Sequence, residues 1–185
     1  MRIIAGKFRG KKLLEPNEKV TRPLRDLVRE SIFNIMIHSN TFDIKIEKSH
    51  VLDLFSGVGS FGLECLSRGA LSVTFFENYS KTVDILKRNI SNLNFDTKTE
   101  VIEKDILENN NLNILKKKFE IIFLDPPYKE KRVNQLIESI ISLKLLQKKG
   151  IVIVHRHKKA SDSYPKKFKV LREETYGISK IIIGN

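Results

Sequence analysis

The chain has one cysteine and no tryptophan, and its acids are outnumbered, 22 Asp and Glu against 34 Lys and Arg. Each scarcity excludes something. A lone thiol, Cys65, forms no internal disulfide, which sets aside the stapled secreted scaffolds and points to a reducing, cytoplasmic compartment. No apolar run is long enough to cross a bilayer, and Met1-Arg2-Ile3-Ile4-Ala5-Gly6-Lys7 lacks the apolar segment of a signal peptide. His38, His50, His155 and His157 show no ligand spacing with a cysteine or an acid cluster, so no metal is expected. No repeat is visible. The shortage of acids leaves a net charge of +12. Nucleic acid is the partner that balance favours, and a lysine-rich proteome is the bland alternative. With 185 residues, 41% of them hydrophobic, one domain with a full core is expected, monomeric and without a membrane partner.

What the chain does have is concentrated in Val51-Leu-Asp-Leu-Phe-Ser-Gly-Val-Gly-Ser-Phe-Gly62. Val51 to Phe55 reads as a buried strand, and a helix opens after Gly57, Gly59 and Gly62. Such a bend lets a ligand approach the backbone. Glu77 lies at the end of the next apolar run, where a nucleotide fold places a ribose-binding acid. The glycines match a dinucleotide fingerprint, but Asp53 at the strand end disfavours a pyrophosphate and favours a cation. S-adenosylmethionine, with its sulfonium and ammonium groups, suits this stretch better than NAD.

The second signal is Ile121-Ile-Phe-Leu-Asp-Pro-Pro-Tyr128. An apolar strand delivers Asp125 to its C-terminal end, where open α/β sheets place ligands. Pro126 and Pro127 make the turn rigid and leave carbonyls to accept, and Tyr128 presents a ring. An acid, a rigid carbonyl and an aromatic face suit an amino group on a planar base. Alone, the motif could be a proline turn with a surface tyrosine. In order with Asp53 and Glu77 it marks one cleft. Asp105 follows a further strand and either accepts from an adenine amino group or caps Ile106-Leu107.

Around these motifs the chain alternates. Strands are expected at 51–55, 72–77, 98–102, 120–124 and 150–154, and helices near 60–68, 79–92 and 132–146. That pattern implies an α/β fold, a mostly parallel sheet with helices on both faces. Two last strands, 167–172 and 178–183, add an antiparallel hairpin, which brings the sheet to seven strands. Ahead of the core, Leu24, Leu27, Val28, Ile32, Ile35 and Met36 form a helical stripe, with Arg22, Arg25 and Arg29 off it. Residues 1–21 make a basic arm, starting with a small hairpin that carries Arg2, Lys7, Arg9, Lys11 and Lys12 around Phe8. It reads as a phosphate-contacting element or a solvated turn.

Taken together, the chain resembles the bacterial 16S rRNA (guanine-N2)-methyltransferases of subgroup D. The likeness runs through Arg2-Ile-Ile-Ala-Gly6, Arg9-Gly10, Leu13, Arg22-Pro23, Val28-Arg29-Glu30, Phe33-Asn34, Asp53 to Gly57, Gly59, Gly62-Leu63-Glu64, Ser67-Arg68-Gly69-Ala70, Glu77, Asp125 to Tyr128 and Tyr176-Gly177. It implies a Rossmann-like class I methyltransferase with S-adenosyl-L-methionine as methyl donor. Asp53, Phe55, Gly57, Gly59, Glu77 and Asp105 would surround that donor, and Asp125, Pro126, Pro127 and Tyr128 would hold the base. The implied substrate is one guanine of 16S rRNA, in the small ribosomal subunit or an assembly intermediate, contacted by Arg2, Lys7, Arg9, Lys11, Lys12 and Arg22. Alternatives are a DNA adenine-N6 methyltransferase, which shares the D-P-P-Y motif, and a non-catalytic RNA-binding assembly factor. Two stretches depart from the family pattern: Leu24, Arg25 and Leu27 replace its usual residues near the first helix, and His155-Arg156-His157 stands where an acid usually follows the strand.

Overall fold

The computed structural model describes residues 1–16, 26–108 and 111–185. Strands β1 (His50–Leu54), β2 (Ser72–Phe76), β3 (Thr99–Ile102), β4 (Phe119–Leu124), β5 (Leu146–His157), β6 (Val170–Tyr176) and β7 (Ser179–Gly184) form one sheet. Its order is β3-β2-β1-β4-β5-β7-β6. The first five strands run parallel, and β7 is antiparallel to both β5 and β6. The helices are α1 (Asp26–His38), α2 (Ser60–Ser67), α3 (Ser80–Asn92) and α4 (Val133–Ser142). This is the α/β architecture that the alternation implied, a mostly parallel sheet with helices on both faces and an antiparallel hairpin at one edge.

Strand alternation decides which side chain meets which layer. Val51, Val73, Ile121, Phe123, Ile151 and Ile153 face one side, where they pack with α1, α2 and α3 through Phe33, Phe61 and Leu86. Leu52, Leu54, Ile122, Leu124, Val152 and Val154 face the other, against Leu136, Ile137 and Ile140 of α4. Phe61 is the keystone of the first layer, stacked on Phe123 at 4.0 Å and on Phe33 at 5.2 Å.

Three expectations need correction. In α1, Leu27 is 70% exposed and Arg29 is fully buried, the reverse of the expected stripe. Arg29 is drawn in because its guanidinium donates to the Arg2 carbonyl and to Asp26, roofed by the N-terminal arm. Leu24, Arg25 and Arg22 lie outside the described residues. Helix α4 stops at Ser142 because Lys144 takes a left-handed conformation, and Leu145 N–H then closes on Ile140. The sixth strand begins later than expected, because a turn from Pro165 to Phe168 holds Phe168 in the core. Among the described residues between β3 and β4, Asn111–Ile114 form a 3-10 turn.

The arm is a hairpin with one bridge, Arg2 to Lys12. Its main attachment is to α2. Buried Glu64 accepts from the N–H of Ile4 and Ala5, and the Ser67 hydroxyl accepts from Phe8 N–H while donating to the Ala5 carbonyl. A side chain at Gly6 would put its Cβ 1.9 Å from the Ser67 carbonyl oxygen. Phe8 packs edge-on against Phe95 at 5.1 Å, so it anchors the arm instead of waiting for a base. Arg2, Lys7, Arg9, Lys11 and Lys12 all stay exposed.

Candidate active site

The strand register builds the site. Leu54 is level with Phe76 and with Leu124, and Leu124 with Val154. The next residue on each strand therefore stands on a common rim: Phe55, Glu77, Asp125 and His155. The sheet order reverses between β1 and β4, and ligands of open α/β sheets bind at such a switch point. The bend after β1 and the proline turn after β4 flank it.

The bend is held by carboxylates. Asp53 is buried, and its Oδ2 accepts from Gly62 N–H at 2.9 Å, capping α2 from below. Burial pushes the Asp53 carboxyl well above its usual range. The Gly62 N–H offsets part of this, while Asp125 and Glu77 add to the upward push. Glu77 Oε2 accepts from Gly57 N–H at 2.7 Å, and its Oε1 accepts from the N–H groups of Asn78 and Tyr79. Gly59 N–H goes to the Ser56 carbonyl. All three glycine N–H groups are thus engaged within the protein, so they form no cradle for a pyrophosphate.

Gly57 sits at φ +54 with open space where a Cβ would be, so it borders the cleft. Gly62 has a different role: a Cβ there would lie 2.4 Å from the Phe75 ring. Phe55 adopts φ 60, a conformation that costs a bulky residue roughly 1–3 kcal/mol. It is imposed by Ser56, whose N–H and hydroxyl both donate to the Phe76 carbonyl. Buried Asn89 of α3, which sequence reasoning missed, donates to the Val58 carbonyl of the bend and to the Leu14 carbonyl of the arm. An amide on the apolar face of an amphipathic helix was its only signal. Asp105 spends one oxygen on Leu107 N–H, the capping alternative, and is only partly buried.

The proline corner is held by bases. His155 Nδ1 lies 2.7 Å from Asp125 Oδ1. Arg156 is buried and donates to the Pro127 carbonyl at 3.2 Å and the Glu130 carbonyl at 2.7 Å, while gripping Asp162 with two bonds. The Pro127 carbonyl, expected to be free, is therefore taken. No described hydrogen bond uses the Pro126 carbonyl or Asp125 Oδ2. The Arg132 guanidinium on Glu130 holds that carboxyl down at about 2, so the corner's far end stays charged. The Tyr128 ring stands edge-on to His157 at 5.0 Å and borders a cavity of about 500 Å³, rimmed by Lys129, Lys131 and Ser161.

The chain matches the family model described as "Conserved hypothetical protein 95" over residues 1–185. It is 32% identical over 183 residues to Ribosomal RNA small subunit methyltransferase D of Haemophilus influenzae, covering 96% of this chain and 90% of that one. It is 33% identical over 159 residues to the protein of the same name from Buchnera aphidicola subsp. Baizongia pistaciae, covering 84% and 76%. Among solved structures, yhhF from Escherichia coli superposes with a TM-score of 0.81 at 25% identity, covering 100% of this chain and 96% of that one. HI0767 from Haemophilus influenzae gives 0.75 at 32% identity, covering 99% and 96%. With its whole length matched and its nearly full-length relatives above 30% identity, the chain belongs to the ribosomal RNA small subunit methyltransferase D family.

Proposed function

We propose that this protein uses S-adenosylmethionine to methylate the exocyclic N2 amino group of one guanine in 16S rRNA of the small subunit. The observation that carries the reading is that, among the described residues, Asp125 Oδ2 and the Pro126 carbonyl stay unspent at the switch point, across from a glycine bend whose own N–H groups are already bonded. The bend fits the donor. Glu77, bonded to Gly57 N–H, puts a carboxylate on the bend that favours a cationic ligand, and open space at Gly57 leaves room for it, with Asp105 proposed alongside. Glu77 retains lone pairs for ribose hydroxyls. S-adenosylmethionine, when bound, supplies an electrophilic methyl on sulfur.

The corner's work is alignment. An aromatic amino group is a poor nucleophile because its lone pair is delocalised into the ring. Asp125 and the Pro126 carbonyl accept its two hydrogens and turn the lone pair outward. With the donor held at the bend, that lone pair would be aimed at the methyl the donor supplies. The nitrogen loses one proton, for which Asp125 is the nearest acceptor. Tyr128 lines the base, which a folded RNA must turn out of its stack. The proposed phosphate contacts are Arg2, Lys7, Arg9, Lys11 and Lys12, which are exposed on the docked arm, with Arg22 alongside them. We read the chain as one catalytic unit carrying that arm, acting as a cytoplasmic monomer on rRNA or an assembling subunit.

A DNA adenine methyltransferase would use the same corner, and family membership favours rRNA over it. The test is transfer of labelled methyl to isolated small subunits and to duplex DNA, followed by mapping of the modified nucleotide. Label on N2 of one guanine is expected. Label on adenine, or on DNA alone, would overturn the reading. Asp125→Ala should lower the methyl-transfer rate by about 10³-fold or more and leave donor affinity by calorimetry within about twofold. Parallel loss of both would show Asp125 to be part of the donor site.

A further inference from the structure

His155 ends the run of β5 residues that faces the α1–α2 layer, following Ile151 and Ile153. It is 6% exposed, and both ring nitrogens are used. Nδ1 meets Asp125 Oδ1 at 2.7 Å, and Nε2 meets Ser179 Oγ of β7 at 2.9 Å. An ionised carboxylate has no hydrogen to give, so Nδ1 carries one. In the neutral ring Nε2 then accepts from the Ser179 hydroxyl, which fixes the tautomer. The Tyr128 ring stands over the same imidazole at 6.2 Å.

The order Asp125–His155–Ser179 has the spacing of a hydrolase triad with its access reversed. In a hydrolase the serine meets the substrate and the acid lies buried behind the histidine. Here Ser179 is 4% exposed at the start of an interior strand, and the Asp125 side chain, 20% exposed, is the more accessible end at the switch point. An acyl group cannot reach the serine. The arrangement acts outward, on the carboxylate.

We infer that His155 is a positioning residue for the methyl acceptor. It occupies Asp125 Oδ1 and stops rotation of the carboxylate, so that Oδ2 is the oxygen presented to the target amino group. A carboxylate's last torsion is broad and two-fold when nothing holds it. A ring N–H from a rigid strand removes that freedom without neutralising the charge. Ser179 holds the ring in turn. The inference rests on the reading of Asp125 given above.

Two polar replacements separate positioning from space-filling. The amide nitrogen of Asn stands close to the place of Nδ1, and that of Gln close to the place of Nε2. Positioning predicts that His155→Asn keeps most of kcat. His155→Gln should lose about 10–100-fold in kcat, with KM for the RNA, donor affinity and thermal midpoint unchanged. His155→Leu should match or exceed the Gln loss. Equal kcat in the Asn and Gln variants, or a loss confined to KM, would overturn the inference. Asp125→Ala is assayed alongside. If it stays active, the acceptor-site reading fails. If it is dead while Asn and Gln both match wild type, the positioning role alone fails.

Discussion

The two loops that flank the switch point are held in opposite chemical senses. The glycine bend is rich in N–H groups, and acids hold it: Asp53 takes Gly62, and Glu77 takes Gly57. The corner has two successive residues with no N–H, so acids have nothing to grip. Bases on β5 hold it instead, His155 through the Asp125 carboxylate and Arg156 through two carbonyls. Strand alternation sends these neighbours to opposite faces of the sheet, so the corner is clasped from both sides. One loop is tied down by carboxylates that accept from its backbone N–H groups. The other keeps free acceptors by occupying only the ones beside them.

That contrast can be broken at either loop. The largest effect is expected from Arg156→Ala. It strands the largely shielded Asp162 carboxylate without its Arg156 partner, which costs about 3 kcal/mol by urea titration. In the surviving fold, methyl transfer should fall more than donor affinity. Gly62→Ala attacks the other loop. Its Cβ would overlap the Phe75 ring, for a loss of about 1–3 kcal/mol, with donor affinity falling and RNA affinity intact.

A smaller and pH-dependent effect is expected from Asp53→Asn, which retains an acceptor for Gly62. The folded-state pKa of Asp53 is raised, so the native protein binds more protons than the unfolded chain above about pH 4. Its contribution to stability therefore declines as pH rises through that window. Asp53→Asn should be more stable than wild type at neutral pH, and the gap should close as pH falls toward about 4. Donor affinity should weaken if the buried charge matters. A gap independent of pH would mean the carboxyl is not strained by burial. The smallest effect lies outside both loops. Neutralising Arg9 and Lys11 should lower RNA affinity and reduce the salt slope by about 0.7 for each phosphate that is no longer neutralised. An unchanged slope would show the arm to be idle.

Much of the fold was legible because the strands are short apolar runs with clear ends, and those ends carry Glu77 and Asp125. Parallel register then lines the ends up without further information. The sequence was mute about contacts that depend on strand order. His155 and Asp125 are thirty residues apart and meet only because β4 and β5 are neighbours. Asp53 read as a carboxylate facing the ligand, yet the helix that follows it needs an acceptor at its first turn and draws the side chain inward. Arg29 failed for a similar reason. An apolar stripe was assumed, while the arm supplies a carbonyl that lets a guanidinium sit in the core. Leu27, on the opposite side of α1 from the buried guanidinium's contacts, is left at the surface.

The twin prolines also have a consequence for anyone watching this enzyme work. Amide-proton spectroscopy and deuterium exchange are blind at residues 126 and 127, the stretch that should respond when a base arrives. The nearest reporter is the imidazole proton between His155 and Asp125, sheltered from solvent exchange. Its resonance should register the filling of the pocket before any product forms.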